Sequence, residues 1–382
     1  MAKEDFHQVA KSWAQIKHAL LAKYLSLFVG KTGKGRDRVY YVDAFAGPGL
    51  LDDGTKGSAV YAAEVAAAPV QRSRQNVLKC INVEADRKTF ARLESATEEH
   101  VKTGHVANLD GRFEDRRKEI LQIIGSAPAL FFIDPFGTEG AELSSLKALK
   151  ANHAIREAFV RYDDTRVKRL ASWAQSQATA LDEPAKKTAE AFNRRIKELT
   201  SVDAIRDWLD RQPGSRESLI NGYIAEARRQ KIFRFGIAYP IRNLDTGGHR
   251  YFLVHLCDFE DGYTWMANFM AAAEAEYEER HDQLQLADGQ QELITVRDLI
   301  KAARAGMVDQ IVQATPQICI TRRWGKGIEI QNRRMYAAFV DEFQWRAGRS
   351  EWEAALRRMR DLGQMSFTGL KDADTCTLNV VP

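Results

Sequence analysis

The densest group of residues able to do chemistry is Tyr41-Val42-Asp43-Ala44-Phe45-Ala46-Gly47-Pro48-Gly49. An apolar run ends, an acid follows, and two glycines let the backbone come close to a ligand at the carboxyl edge of a sheet. A dinucleotide fingerprint needs a third glycine three residues after Gly49, and that position is Asp52. Its ribose-binding acid would lie about 20 residues further on, whereas Glu84 stands much later. An oxidoreductase built on a nicotinamide cofactor is therefore disfavoured. A cationic sulfonium with a zwitterionic amino-acid end suits an acid-bearing loop better, so the expected ligand is S-adenosylmethionine. Asp43, Phe45, Gly47 and Gly49 would surround it, Glu84 would accept from the ribose hydroxyls, and Asp110 would accept from the adenine amino group. The bland reading is that strands simply end in polar residues; it explains any one of these acids better than it explains all three with the glycine loop.

A second candidate group is Asp134-Pro135-Phe136, which closes the apolar run Ala129-Leu130-Phe131-Phe132-Ile133. An Asp-Pro-Pro-aromatic tetrad in this place lets a carboxylate accept from an exocyclic amine while a ring stacks on a flipped base. Here the second proline is missing and Phe136 comes one place early. An amine acceptor in nucleic acid is the expectation, with a plain strand end and turn as the even alternative. Methyl transfer is an in-line displacement that needs positioning above all.

The elements that must hold these residues alternate. Helical spacing runs through residues 5 to 29 (Val9, Trp13, Ile16, Leu20, Leu21, Tyr24, Leu27). Four apolar strands follow, ending near Asp43, Glu84, Asp110 and Asp134, with amphipathic helices between them. That pattern predicts an α/β fold, a Rossmann-like class I methyltransferase sheet covered on both faces. A fifth strand is expected in 153–162, a helical insertion over 163–230, and a hairpin from the runs either side of 244–248, with the last strand antiparallel. The predicted division is 1–36 (lead-in helices), 37–162 (cofactor-binding core), 163–230 (insertion), 231–285 (closing strands) and 286–382. The last block reads as three helices and a short hairpin, a winged-helix-like module.

The bulk numbers exclude little. The chain has 382 residues, 45% of them hydrophobic, a formal charge of +4 and a mean hydropathy of −0.41. No apolar run approaches the roughly 20 residues that cross a bilayer, and no secretory leader is seen, so a cytoplasmic, membrane-free protein is expected. Cys80, Cys257, Cys319 and Cys376 have no paired spacing, and the histidines form no ligand pair, so no metal site is predicted. His153 and His255 are expected to be packed histidines, and Trp265 and Met266 core residues. Arg322, Arg323, Lys326, Arg333 and Arg334, with Trp324 among them, form a candidate phosphate-contacting face. Trp345, Arg346, Arg349 and Arg357-Arg358-Arg360 extend it; the alternative is a solvated helix surface.

On these residues the chain resembles the three-Cys-motif partner proteins. The shared features are Lys17, Leu21 and Tyr24-Leu25 in the lead-in helix, the loop from Asp43 to Gly49, Asp53-Gly54 with Gly57-Ser58, and Asp134 to Gly137. Ala59 stands where that family has a proline, and Arg161-Tyr162 follows Glu157 where it shows Asn-Phe. The resemblance implies a methyltransferase-like fold and a partner of iron–sulfur or radical type that bears the cysteine motif. Two functions are carried forward: a methyltransferase acting on an amine, and a catalytically silent subunit that supports such a partner or a nucleic acid.

Overall fold

The computed structural model describes residues 12–68, 77–152, 154–178, 183–201, 203–205, 216–244, 246–287 and 296–379. Val9, His153 and most of the segment 202–211 lie outside them. The chain divides into two compact units, 1–243 with 248–258, and 244–247 with 259–382.

The first unit begins with α1 (Ser12–Thr32), β1 (Val39–Asp43), α2 (Ser58–Ala67), β2 (Leu78–Glu84), α3 (Arg87–Lys102), β3 (Val106–Asp110), α4 (Phe113–Ile124) and β4 (Ala129–Ile133). It continues through α5 (Leu143–Lys150), β5 (Ile155–Tyr162), α6 (Asp164–Ala178), α7 (Glu183–Lys197), α8 (Arg216–Arg229), β6 (Phe235–Arg242) and β7 (His249–Cys257). The seven strands lie in the order β3-β2-β1-β4-β5-β7-β6, and β7 runs antiparallel to both its neighbours. This is the Rossmann-like class I methyltransferase sheet expected from the sequence. Every residue of β1 and of β4 is buried, as central strands covered on both faces require. One face packs Val42, Phe131, Ile133, Val160 and Tyr162 against Ile120, Leu146 and Tyr223 of the helices.

The other face carries α1. Its buried stripe, Leu20, Leu21, Tyr24, Leu25, Phe28 and Val29, has the spacing of one helix side. Lys17 and His18 fall one turn earlier on that stripe, so they too are buried, at 8% and 7% exposure. Helix geometry, not polarity, sends them inward.

Between β1 and α2 the chain turns through Gly47 (φ 66°) and Gly49 (φ 75°), conformations that L side chains rarely adopt. At Gly49 space is also short: a Cβ there would lie 2.8 Å from the Ala96 Cβ on α3, and the Gly49 carbonyl accepts from the Gly57 amide at 2.6 Å.

The second unit contains α9 (Glu260–Ala287), α10 (Val296–Arg322), β8 (Glu329–Gln331), α11 (Asn332–Phe343), α12 (Arg349–Asp361), β9 (Met365–Phe367) and β10 (Thr375–Leu378). The three strands form an antiparallel sheet in the order β8-β10-β9. After α9 the succession is helix, strand, two helices and a hairpin. The predicted division after residue 285 falls within α9, which belongs wholly to this unit. α10 runs on through Pro316 because Ile311, Thr315, Ile318 and Cys319 stay buried along one side; packing offsets the lost amide bond. Among the described residues no helix is long and apolar enough to cross a membrane.

The two loop glycines should respond differently. Gly47→Ala has open space and only backbone strain to bear, about 1 kcal/mol, whereas Gly49→Ala adds a clash with α3 and should cost about 2–4 kcal/mol. Denaturant unfolding of both variants measures the difference; equal losses would remove close packing from the account of Gly49.

Candidate functional site

The order of the sheet locates the site before any side chain is considered. From β1 the chain winds outward through β2 to β3, then crosses back to β4 on the other side of β1. Ligands in open α/β sheets bind at such a reversal, beyond the carboxyl ends of the strands. Asp43 ends β1 and Asp134 follows β4, so the two candidate groups flank it; Asp43 is in register with Phe132.

On the β1 side, Asp43 has no exposed surface. It accepts from the Tyr41 hydroxyl at 3.1 Å and from the Phe45 amide at 3.3 Å. Burial pushes its pKa up to about 6, against hydrogen bonds from Ser58, Phe45 and Tyr41 that favour the carboxylate. Glu84, at the end of β2, accepts from the Gly47 amide at 3.0 Å and from the Asp86 amide at 2.8 Å. Asp110 is its register partner on β3. The three strand-end acids therefore line one edge, and Glu84 already touches the glycine loop. Asp110 contributes its backbone carbonyl to Arg116 at 2.7 Å. Phe45 packs its ring 6.1 Å from that of Phe113, and Gly140 is bare where a Cβ would approach Phe45 at 3.3 Å. Phe45 thus braces the loop after β4.

On the β4 side, the Asp134 carboxylate is bound to the Lys17 ammonium. Arg161 of β5 brings its guanidinium to 3.7 Å from the other carboxylate oxygen. Burial alone would lift Asp134, but Lys17 and then Arg161 hold its pKa below the ordinary value. Burial alone would likewise lower Lys17, and Asp134 holds it above. His18 is driven the other way, down to about 3, by burial and by Lys17. Pro135 is buried, while Phe136 is 43% exposed at the edge. Gly137 lies against Arg166 in the first turn of α6, and Glu139 pairs with Arg112 at the head of α4 at 2.5 Å.

The structure thus brings Asp43, Phe45, Gly47, Gly49, Glu84 and Asp110 to one edge and places Asp134, Pro135 and Phe136 beside them. The cations on Asp134 were not identified as site residues from the sequence, although Lys17 stands in the lead-in pattern and Arg161 was noted as a departure. A shallow depression of about 440 Å³, lined by Arg36, Asp37, Arg38 and Pro128, opens at the opposite edge, before β1 and β4, and has no part in this site.

In the second unit the basic residues divide. Arg322 is ion-paired with Asp341; Arg333 donates to Gln331 at 2.9 Å and lies 3.9 Å from Glu260. Arg323, Lys326 and Arg334 are exposed. Arg349 is internal: it bonds Glu353 at 2.9 Å and Asp372 at 2.7 Å, and lies over the rings of Tyr336 and Trp265. Its place in a phosphate-facing surface is corrected, because its fork is used within the fold. Met266 is buried, as expected of a core residue, and Trp265 is half-buried.

No protein-family model and no curated protein matches the sequence, so the resemblance to three-Cys-motif partner proteins rests on the motif residues alone. Solved structures give distant matches. The O-methyltransferase of Bacillus cereus in complex with S-adenosylhomocysteine is 12% identical with a TM-score of 0.31, covering 66% of this chain and 83% of that one. The O-methyltransferase TomG of Streptomyces achromogenes, in complex with S-adenosylmethionine, is 13% identical with a TM-score of 0.29, over 68% and 100%. A Legionella pneumophila protein, LPL1258, is 11% identical with a TM-score of 0.37, over 66% and 86%. Likeness this low decides nothing about activity.

Two outcomes follow. Asp43 binds its proton more tightly when folded, so its stabilising effect is present at low pH and is lost as pH rises from the ordinary aspartate range through about 6. A cation at the loop favours the carboxylate. If S-adenosylmethionine is the ligand of this loop, its affinity should therefore climb as pH rises through about 6, with proton release below it, and titration calorimetry in two buffers reads both; Asp43→Asn should flatten the profile. Separately, Lys17→Met strands a buried carboxylate and should cost about 3–5 kcal/mol, part of which Asp134→Asn restores in the same chain. Strictly additive losses in denaturant unfolding would deny the coupling.

Proposed function

We propose that the protein is an S-adenosylmethionine-dependent methyltransferase whose cofactor lies on the loop from Asp43 to Gly49. The observation that carries this reading is the contact between Glu84 and the Gly47 amide beneath the switch point of the sheet. It sets the acid suited to the ribose hydroxyls against the loop suited to the methionine end, with Asp43 behind. Bound there, S-adenosylmethionine supplies an electrophilic methyl group. Asp43 balances positive charge, Glu84 orients the ribose, and Asp110 accepts from the adenine amino group. Asp134, Pro135 and Phe136 border the space beyond the methyl group, and an amino group, in nucleic acid or elsewhere, is the acceptor expected from the sequence.

One observation favours the silent-subunit reading: Asp134 gives its carboxylate to Lys17. An amine acceptor must share Asp134 with that ammonium, through the carboxylate oxygen that Lys17 leaves open. If the carboxylate serves only as the counterion of Lys17, the fold serves a partner, either a three-Cys-motif protein or a nucleic acid held by Arg323, Lys326 and Arg334.

Calorimetric titration of wild type, Asp43→Ala and Glu84→Ala with S-adenosylmethionine and S-adenosylhomocysteine tests the site. Wild-type binding should fall at least tenfold in each variant. Wild-type protein that binds neither ligand defeats the methyltransferase reading.

A further inference from the structure

We propose that Lys17 and Arg161, spaced by Asp134, form a subsite for one small oxyanion, a carboxylate first of all, where β4 and β5 end. The subsite stands on its own geometry; the assignment of its ligand rests on the methyltransferase reading.

Charge is the first ground. Two cations face one carboxylate in a cluster whose side chains are 10%, 17% and 13% exposed for Lys17, Arg161 and Asp134. The other groups that face it are His18, kept neutral by burial, Tyr251, whose pKa burial raises, and Asp43. Asp43 is engaged by Tyr41 and the Phe45 amide and belongs to the loop on the β1 side. The β4 side therefore carries one positive charge more than its own acid answers, and a buried charge calls for a partner.

Hydrogen bonding is the second. Lys17 takes one oxygen of Asp134; the guanidinium of Arg161 stays 3.7 Å from the other, beyond hydrogen-bond reach. The Arg161 Nε and the Asp134 Oδ1 are both buried without a hydrogen-bond partner. The Arg161 guanidinium carbon lies over the Tyr251 ring, 4.4 Å from its centre, and the Lys17 ammonium lies over the Phe132 ring, 5.5 Å from its centre. The aromatic faces hold both cations where they are.

Chemistry is the third. A planar guanidinium with a spare N–H matches a carboxylate through two parallel bonds, and an ammonium beside it adds a point charge. Asp134 then keeps the two cations apart rather than acting as a general acceptor. The same chemistry can come from the α-carboxylate of the cofactor's methionine end or from a carboxylate on the methyl acceptor.

The experiment compares wild type, Arg161→Gln and Arg161→Lys as full chains, using S-adenosylhomocysteine, 5′-methylthioadenosine (which lacks the amino-acid end) and acetate against chloride at equal ionic strength. A cofactor carboxylate predicts that Arg161→Gln weakens S-adenosylhomocysteine at least tenfold and leaves 5′-methylthioadenosine unchanged, with part of the loss recovered in Arg161→Lys. An acceptor carboxylate predicts unchanged S-adenosylhomocysteine binding, together with an acetate-induced rise in melting temperature of the saturated wild type that Arg161→Gln abolishes. Should Arg161→Gln not fold, Arg161→Lys is compared with wild type directly and is expected to weaken carboxylate binding severalfold. A folded Arg161→Gln protein that treats all three probes as wild type does overturns the subsite. If wild type binds neither nucleoside, the cofactor reading fails while the acetate arm still decides the subsite.

Discussion

The arrangement of the candidate site depends on how one helix is fastened to one sheet face. α1 meets that face through two polar clasps two turns apart: Lys17 on Asp134, and Tyr24 on Glu157, which also receives His255 at 2.8 Å. Apolar side chains would let a helix rotate or slide by small steps at little cost, but a buried ion pair is satisfied in one register only. With α1 fixed, Asp134 is fixed, and the loop that follows it is carried along by contacts of Gly137 with Arg166, of Glu139 with Arg112 and of Gly140 with Phe45. The same clasp limits the chemistry: an aspartate already holding an ammonium is a counterion before it is an acceptor.

A different balance holds on the β1 side. Among the described residues Asp43 is met by the neutral donors Ser58, Phe45 and Tyr41, so desolvation outweighs hydrogen bonding and its charge is left poorly compensated. Two carboxylates at the ends of neighbouring strands are thus shifted in opposite directions, Asp134 toward its ionised form by Lys17 and Asp43 toward its protonated form by burial. A ligand that brings positive charge to the loop side and negative charge to the β4 side meets both needs, which is the polarity of a sulfonium amino acid.

The second unit shows how little an arginine count says about a surface. Arg349 is the pin of its fold, tying α12 to the turn before β10 through Asp372 and the Leu370 carbonyl, while Asn332 and Tyr336 hold the same turn from α11. Arg358 reaches Asp309 and Arg322 reaches Asp341. These pairs are exposed enough to contribute little each, yet they leave only some of the basic residues to face an outside anion.

The sequence by itself determined the succession of strands and helices, because periodicity and the punctuation of glycine and proline are local properties. Near-continuous apolar runs at 39–43 and 129–133 announce buried central strands; the glycines at 47 and 49 announce a tight turn; the acids at 43, 84 and 110 stand at strand ends whatever the sheet does later. Short or atypical elements, such as β8 and the passage of α10 through Pro316, were not legible because neighbours rather than local preference stabilise them. Only the tertiary structure decided what holds Asp134. Lys17 lies 117 residues away in the chain and Tyr24 lies 133 residues from Glu157, and no short-range pattern encodes a pairing over such separations. The stripe of α1 shows that Lys17 and His18 point inward, but which carboxylate waits there is settled by the order of strands, since electrostatic partners are chosen by distance in space.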